Sequence, residues 1–543
     1  MRNMISGASR LQIQAPVASY LMELSVQSFA VAVICVLTVT LTWMVLNWLW
    51  LRPKKLEKCL RQQGLTGNSY RFLFGDTKEI SRSMKQALSA PITLSDDICP
   101  TSITAYHSVK KHGKDSFVWI GPRPRVTIMK PEQLRVIFNN LEDFQKEDLV
   151  PLVKLLANGL ASHNGQKWAK HRKLVNPAFH LECLKNMVPL FYASCSEMIN
   201  EWENMVSGEG SPEFDVWSYL ENLTGDVISR TAFGSSYKEG RKIFQLQKEQ
   251  CSLATEAMRS FYIPGWRLLP TKLNRRMKKI DMEMRSLIKG MISKREEAMK
   301  TGESMNKDLL SLLVGSNMKE LTENWGHNNV GMSTTDVIEE CKLFYLAGKE
   351  TTTSLVVWAL IFLSTHQQWQ ARARGEVQEI FGNKKPDFEG ISLLKILSMI
   401  LYEVLRLYPP QVTLVRTVQK KTEIGGLSLP PGVLLYLPTI LIHRDQELWG
   451  DDAEEFKPER FSEGISKATK GRVSYFPFGW GPRLCVGEKF ALLEAKMALV
   501  LILQHFEFEL SPLYIHAPVT VISLQPEHGA HVVFRKVTNC CSN

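Results

Sequence analysis

The sequence predicts a mainly α-helical domain with small β-sheets, preceded by one N-terminal transmembrane helix. Apolar residues recur at helical spacing in five long segments: Asn186–Met205, Tyr237–Arg259, Leu273–Lys300, Thr334–Thr365 and Phe490–His505. Strand-like segments are fewer and short, namely Phe117–Met129, Gly426–Pro438 and the C-terminal "HGAHVVFRKV". Proline-rich turns are predicted at Tyr262–Thr271 and Tyr408–Val415. No internal repeat or long Ser/Gly linker interrupts the chain, so one α-rich domain is the simplest interpretation.

Composition excludes several classes of protein. The chain has 543 residues, of which 44% are hydrophobic and 22% are charged, as in ordinary globular proteins. Its ten cysteines are widely spaced except for Cys540 and Cys541, which favours a reducing, cytosol-facing environment over a disulfide framework. The net charge of +11 is typical of a solvated surface near an anionic membrane. No nucleic-acid partner is expected, because the chain has no arginine-rich tract.

An uncharged run from Ser25 to Leu51 predicts the membrane anchor. A helix over 29–51 would be roughly 34 Å long, which is enough to cross a hydrocarbon core. Five basic residues follow within "RPKKLEKCLR", so the positive-inside rule places residues 52 onward in the cytosol. The competing interpretation, a cleaved signal peptide, is disfavoured by the length of the run. We therefore expect a lumenal leader (1–28), a transmembrane anchor (29–51) and a cytosolic domain (52–543).

The stretch "FPFGWGPRLCVGEKFALLEAK" places Cys485 between glycines and before a predicted helix. Glycine allows a backbone to approach a flat group closely, and a helix N-terminus favours a thiolate. Phe478 can cover the sulfur, and a protected thiolate is suited to bind iron as an axial ligand. The pattern of Phe478, Gly481, Arg483, Cys485 and Gly487 resembles the haem-binding signature of cytochrome P450 monooxygenases.

This resemblance implies a haem b group with Cys485 as the metal ligand. It further implies that the haem propionates are held by four residues, Trp168, Arg172, Arg416 and Arg483. Trp168 and Arg172 are four residues apart on a predicted helix and therefore share one face. For each of these residues alone, a surface cation or a core indole is the alternative interpretation.

The segment "FYLAGKETTTS" indicates a site of proton delivery. Gly348 weakens a long apolar helix, and the hydroxyl of Thr351 can bond a carbonyl one turn back, so a groove for oxygen and water is expected. Glu350 would link Thr351 to bulk protons. The matching family motif is intact, with Lys349 at its variable position.

Two further sets of residues follow from the resemblance. Glu403 and Arg406 in "YEVLRLYPP", with Arg460 in "FKPERF", match a structural Glu–Arg–Arg cluster that fixes the chain beneath the haem. The substrate pocket is expected opposite Cys485 and includes the loop before Trp168. Its other candidate residues are Phe344, Ala347, Gly348, Val412, Leu414 and Val519.

Four motifs therefore occur in the order of the family between Trp168 and Gly487. Stretches such as "KWAKHRKLVNPAFHLECLK" and "IPGWRLLPTKLNRRMKKID" are similar to the plant secologanin-synthase-like family 72, subfamily A. The resemblance implies a monooxygenase of the endoplasmic reticulum membrane that uses O₂ and electrons from an NADPH–cytochrome P450 reductase. A lipophilic terpenoid-type substrate is expected, triterpenoid first, with an iridoid of the loganin type or a gibberellin as the alternative.

Two other classes remain as alternatives, a haem-thiolate isomerase or dehydratase and a non-catalytic haem protein. The pair Glu350–Thr351 argues against both, because neither needs protons for O₂. We expect the reductase to dock on a basic face around Cys485 that includes Lys489 and Lys496, with Arg172 and Lys173 as further candidates.

Overall fold

A computed structural model describes residues 8–88, 92–93, 98–99, 105–148, 152–206, 212–234, 237–259, 269–302, 308–323 and 331–537 of the chain. The predicted turn Tyr262–Thr271 falls largely outside these residues. The described helices, in chain order, are α1 Ala8–Leu46, α2 Arg52–Arg61, α3 Thr77–Leu88, α4 Ala105–His112, α5 Pro131–Asn139, α6 Gly165–Val175, α7 Leu181–Val206, α8 Val216–Phe233, α9 Tyr237–Arg259, α10 Lys272–Lys300, α11 Leu309–Glu323, α12 Thr334–Thr365, α13 Gln367–Ile380, α14 Phe388–Leu393, α15 Lys395–Leu407, α16 Thr439–His443, α17 Gln446–Trp449, α18 Ile465–Ala468 and α19 Glu488–His505.

Short strands form the small sheets that the sequence predicts. They are β1 Phe117–Ile120, β2 Arg123–Thr127, β3 Phe144–Gln145, β4 Glu213–Asp215, β5 Leu414–Val418, β6 Thr422–Ile424, β7 Leu427–Leu429, β8 Leu434–Leu437, β9 Phe506–Leu510, β10 Pro518–Thr520, β11 Leu524–Pro526 and β12 His531–Lys536. The main sheet has the order β1-β2-β8-β5-β3, and β4-β12-β9 form a second sheet. The pairs β6-β7 and β10-β11 are hairpins. Strands β2 and β8 are parallel, and the other pairs are antiparallel.

Helix α12 lies at the centre of the domain. Ser333 caps its N-terminus by accepting a hydrogen bond from the Asp336 amide at 3.1 Å. Its C-terminal half, from Leu355 to Leu363, is almost completely buried, as expected for a helix that is apolar on every face. The described helices α8, α15 and α19 pack around it. The helix has the bounds predicted from the apolar pattern.

The N-terminal helix differs from α12 in its exposure. The most apolar 18-residue window of the continuous helical stretch Gln27–Arg61 has a mean hydropathy of 2.5, and none of that window is buried. A short π-helical turn, Asn47–Leu51, joins α1 to α2, and Pro53 stands in the first turn of α2. Helix α1 begins at Ala8, so a helical backbone continues through most of the predicted leader. The stretch Thr334–Thr365 is also long and apolar, but 78% of its window is buried in the domain.

Candidate functional site

The Cys485 loop, residues 476–487, connects the main body of the domain to α19. The Cys485 amide donates a hydrogen bond to the Phe478 carbonyl at 2.9 Å, which folds the loop so that these two residues are neighbours. Gly479 and Gly481 have φ angles of 77° and 68°, a region that favours glycine. A Cβ atom at Gly481 would also lie 3.2 Å from the Phe138 carbonyl oxygen. The predicted need for glycine in this loop therefore has two causes, backbone conformation and close packing on α5.

The thiol of Cys485 lies in a recess just before α19. Its side chain has accessible surface, yet burial raises its pKa, because much of the surrounding volume is protein. Three groups oppose that effect on the pKa and favour the thiolate: the Gly487 amide and the cations of Arg172 and Lys146. Gly487 is the N-cap of α19, so the helix begins beside the sulfur as the sequence predicts.

Arg483 and Trp168 are brought together by two distant segments. The Arg483 guanidinium lies 4.6 Å from the centre of the Trp168 ring. It donates hydrogen bonds to the His163 carbonyl at 2.9 Å and to Asn164 Oδ1 at 3.0 Å. Arg172 approaches the same loop and donates to the Leu484 carbonyl at 2.7 Å. Helix α6 and the Cys485 loop are thus joined by two arginines.

Lys146 also lies in this region, and the sequence did not indicate it. Its backbone amide is fixed by Asn164 Oδ1 at 3.0 Å. Burial, together with repulsion from the cations of Arg416 and Arg483, lowers its pKa to about 7. The adjacent acidic residues Glu147 and Asp148 make the segment look like an ordinary charged surface, so no sequence signal singles out this lysine.

Among the residues that the structure describes, no carboxylate pairs with the cations of this region. Burial lowers the pKa of Arg416 and that of Arg483 to about 10, and the Arg416 guanidinium donates a hydrogen bond to the Val415 carbonyl at 2.9 Å. Nε of Arg483 is buried without a hydrogen-bond partner. Within the described part of the chain, none of Lys146, Arg172, Arg416 and Arg483 forms an ion pair. Buried cations of this kind are suited to an anionic ligand.

Thr351 and Glu350 lie in the middle of α12. The Thr351 hydroxyl donates to the Ala347 carbonyl one turn back at 2.7 Å, which is the predicted hydrogen bond. Burial raises the pKa of Glu350, Lys349 opposes this increase, and Glu221 adds to it. A Cβ atom at Gly348 would lie 2.7 Å from Cδ1 of Ile228 on α8. The glycine therefore permits close packing of two helices, and the neighbouring residue Ala347 is exposed.

The expected pocket segments meet at this part of α12. The Leu524 amide donates to the Pro410 carbonyl at 3.0 Å, and the Ser523 hydroxyl donates to the Glu350 carbonyl at 3.4 Å. The C-terminal hairpin thus reaches both α12 and the turn after α15. Phe344 stacks on Phe179, with 5.6 Å between ring centres. Val412 and Val519 are buried, and Leu414 is partly buried.

Glu403, Arg406 and Arg460 form the predicted cluster. Arg406 donates to both oxygens of Glu403, at 2.8 and 2.7 Å, and Arg460 Nε lies 3.3 Å from Glu403 Oε1. Arg406 also donates to the His443 carbonyl at 2.8 Å. His443, which the sequence did not indicate, accepts a hydrogen bond from the Phe476 amide at 3.0 Å. Burial lowers its pKa to about 3, so its neutral ring connects the cluster to the start of the Cys485 loop.

Comparison with known proteins identifies the family. The family model described as Cytochrome P450 matches residues 103–527. The chain is 55% identical over 514 residues to Cytochrome P450 CYP72A219 of Panax ginseng, which covers 94% of this chain and 98% of the relative. It is 52% identical over 518 residues to Cytochrome P450 72A13 of Arabidopsis thaliana, with 95% and 100% covered.

A solved structure supports the fold. The retinoic acid-bound cyanobacterial CYP120A1 aligns with a TM-score of 0.69 at 23% identity, covering 79% of this chain and 93% of the other. The haem-thiolate chemistry of this family agrees with a lone cysteine at the start of a helix and with a neighbouring group of unpaired cations. The chain therefore belongs to the cytochrome P450 family, as a haem-dependent monooxygenase of the plant 72A group.

Proposed function

We propose that Cys485 is the thiolate ligand of the haem iron and that the protein hydroxylates or oxidises a terpenoid-type substrate, a triterpenoid in the first place. The observation that carries this proposal is the position of Cys485 beside cations that pair with no carboxylate among the residues the structure describes. When bound, the haem supplies the activation of O₂ and the transfer of one oxygen atom. The residues of the chain bind the haem, exclude water and move protons.

The residues present fit a haem with two propionates. Trp168, Arg172, Arg416 and Arg483 are the propionate contacts implied by the family, and we add Lys146 because its ammonium is buried beside the two last arginines. A carboxylate in this region would relieve the repulsion among these cations. Phe478 is proposed to cover the sulfur, because the Cys485 amide binds its carbonyl.

The spectrum of the reduced carbon-monoxide complex tests the ligand. We expect Cys485→His to abolish the thiolate-type absorption band, whereas Cys183→Ser on α7 should retain it. If Cys485→Ala kept this band unaltered, Cys485 would not be the thiolate ligand.

Glu350 and Thr351 are proposed to deliver protons during the reaction. The Thr351 hydroxyl is oriented by its bond to Ala347, and burial raises the pKa of Glu350 above its ordinary value. We expect Thr351→Ala and Glu350→Gln to bind substrate but to form less product, and more hydrogen peroxide, per NADPH consumed. Thr365→Val is a matched control, because the Thr365 hydroxyl makes the same kind of bond to a carbonyl four residues back, the Ile361 carbonyl. Unchanged coupling in both site variants would exclude this role.

The character of the pocket favours a neutral lipophilic substrate. The side chains of Phe344, Val412, Leu414 and Val519 are apolar, and the two buried lysines of α12 are engaged by carboxylates. Within the described pocket segments, no cation is therefore available for a carboxylated substrate such as a gibberellin. Expression in yeast with a reductase, fed with triterpenoid, loganin-type and gibberellin candidates, tests this order. Val412→Phe or Leu414→Ala should change product ratios before turnover is lost.

The proposed electron donor is an NADPH–cytochrome P450 reductase that docks near Cys485. Lys489 and Lys173 are exposed there. Lys496, also expected on this face, instead lies close to the Ile391 and Leu394 carbonyls, at 3.3 and 3.4 Å, and burial lowers its pKa. We therefore assign docking to Lys489 and Lys173 and leave Lys496 a structural role.

The exposed apolar helix supports an anchor at 29–51, between a lumenal leader (1–28) and a cytosolic domain (52–543). We propose the endoplasmic reticulum as its membrane. A glycosylation acceptor inserted in the leader should be modified, whereas one in an exposed loop after residue 52 should not.

A further inference from the structure

Lys349 lies between two carboxyl groups beneath the surface of the domain. Its Nζ is 2.6 Å from Oε1 of Glu221 on α8 and 3.8 Å from Oε1 of Glu350 on its own helix. The three side chains are only 7%, 12% and 14% exposed, respectively. At such separations and burial, the charge of one group strongly affects the protonation of the others.

The helices that carry these groups are held in a fixed relation. The hydroxyls of Thr224 on α8 and Thr353 on α12 are 2.6 Å apart. Thr224 also donates to the Lys349 carbonyl at 3.3 Å, and Ile228 packs on Gly348. The contact between Lys349 and Glu221 therefore lies in a closely packed part of the helix pair.

The other charged neighbour connects this group to the surface. Oε2 of Glu221 is 3.0 Å from Nζ of Lys248 on α9, a side chain that is 66% exposed. A line of alternating charges thus runs from Glu350 through Lys349 and Glu221 to Lys248. A further titratable group near Glu350, among the described residues, is Cys251 on α9; burial raises its pKa, so it is a neutral thiol.

We propose that Lys349 and Glu221 are positioning residues that set the net charge facing Glu350 and thereby control whether this carboxyl holds a proton. The proposal deepens the proposed function and rests on the assignment of Glu350 to proton delivery. Glu221 neutralises Lys349 and so allows Glu350 to hold its proton in spite of the nearby ammonium. When Glu350 gives its proton toward Thr351, Lys349 can turn to the new carboxylate while Lys248 remains on Glu221. A proton from bulk water then restores Glu350, and no electron moves.

The proposal predicts shifts of opposite sign in two variants. Lys349→Gln removes a positive charge, so Glu350 should stay protonated to a pH about one unit higher. Glu221→Gln removes the negative charge beside Lys349, so the Lys349 ammonium acts on Glu350 without compensation. The pH at which Glu350 is half protonated should therefore fall by about one unit. A purely structural role of the pair would not produce this difference in sign.

The measurement is the infrared difference spectrum of the holoenzyme on photolysis of bound carbon monoxide, recorded against pH. The carboxyl band of Glu350 is assigned by its loss in Glu350→Gln, so the readout does not depend on turnover. Lys349→Arg keeps the charge and should keep the midpoint. Lys248→Gln, at an exposed position that folding should tolerate, should raise the midpoint by a smaller amount.

Arg230→Gln is the matched control, because it breaks another ion pair on α8, at Asp226, that does not face Glu350. Shifts of the same sign in Lys349→Gln and Glu221→Gln, or shifts no larger than in Arg230→Gln, would overturn the proposal. If Glu350→Gln keeps full coupling while the opposite shifts persist, proton delivery by Glu350 is wrong and the electrostatic control stands.

Discussion

Two groups of buried cations lie in this domain, and they differ in their partners. Around the Cys485 loop, the cations of Lys146, Arg416 and Arg483 form no ion pair within the described residues. On α12, Lys342 lies 2.6 Å from Asp281, and Lys349 lies 2.6 Å from Glu221. A buried charge must be compensated, so the first group indicates a ligand that brings negative charge, whereas the second is complete within the protein. The same residue types therefore have different functions in the two regions.

The largest expected effect is on stability in the α12 group. Lys342 is completely buried and also donates to the Leu155 carbonyl at 2.8 Å. Lys342→Met leaves buried carboxylates without this partner and should lower the free energy of unfolding by about 3 kcal/mol. Urea unfolding measures the change, and Lys279→Met, at an exposed position on α10, is the control. If Lys342→Met lowered the free energy of unfolding no more than Lys279→Met does, the proposed distinction between the two groups of cations would be wrong.

Removing a cation of the first group should instead weaken haem binding. Arg416→Met removes a charge-assisted contact worth about 2 kcal/mol, so haem should dissociate roughly thirty times faster. Transfer of haem to an excess of apomyoglobin gives this rate. In the haem-free protein, Arg416→Met removes a buried charge that no anion compensates, so the urea midpoint of the haem-free variant should not fall. A lower midpoint with an unchanged dissociation rate would place Arg416 among the structural cations.

A pH dependence distinguishes Lys146 from the paired lysines. Its pKa in the folded haem-free protein is about 7, below the ordinary value, so the unfolded state binds more protons above that pH. Stability of the haem-free protein should therefore increase as pH rises from about 7 to 10, by at most about 1.4 kcal/mol per pH unit from this group. The slope should decrease in Lys146→Met and when haem is bound. Equal slopes in the wild type and Lys146→Met would contradict the assignment.

The smallest effect concerns a cation that faces water. Lys489→Glu should slow transfer of the first electron from the reductase by a few-fold at low salt, and the difference should disappear at high salt. Stopped-flow reduction under carbon monoxide measures this rate, while substrate binding should be unchanged. Charge reversal at Lys279 on α10 is the control. If both reversals slow reduction equally, the docking face lies elsewhere.

Much of the fold and part of the site could be predicted because their signals are local. Helix α12 was predicted with its observed bounds, since an apolar run with a serine cap specifies a buried helix over consecutive residues. The Cys485 loop could be predicted as well, because its glycines, its cysteine and the start of α19 lie within a dozen residues. The hydrogen bond from Thr351 to Ala347 follows from helical geometry alone.

The sequence by itself determined the helices, the Cys485 loop and the exposed N-terminal helix, since each depends on the order of neighbouring residues. Only the tertiary structure decided which cations are paired. Lys146 and Arg416 are 270 positions apart, and Lys349 meets Glu221 across two helices. Gly348 lies against Ile228 of a neighbouring helix, and Lys496 lies against the carbonyls at the end of α14. Whether a charge or a glycine is free depends on what lies against it, and distant segments supply those contacts.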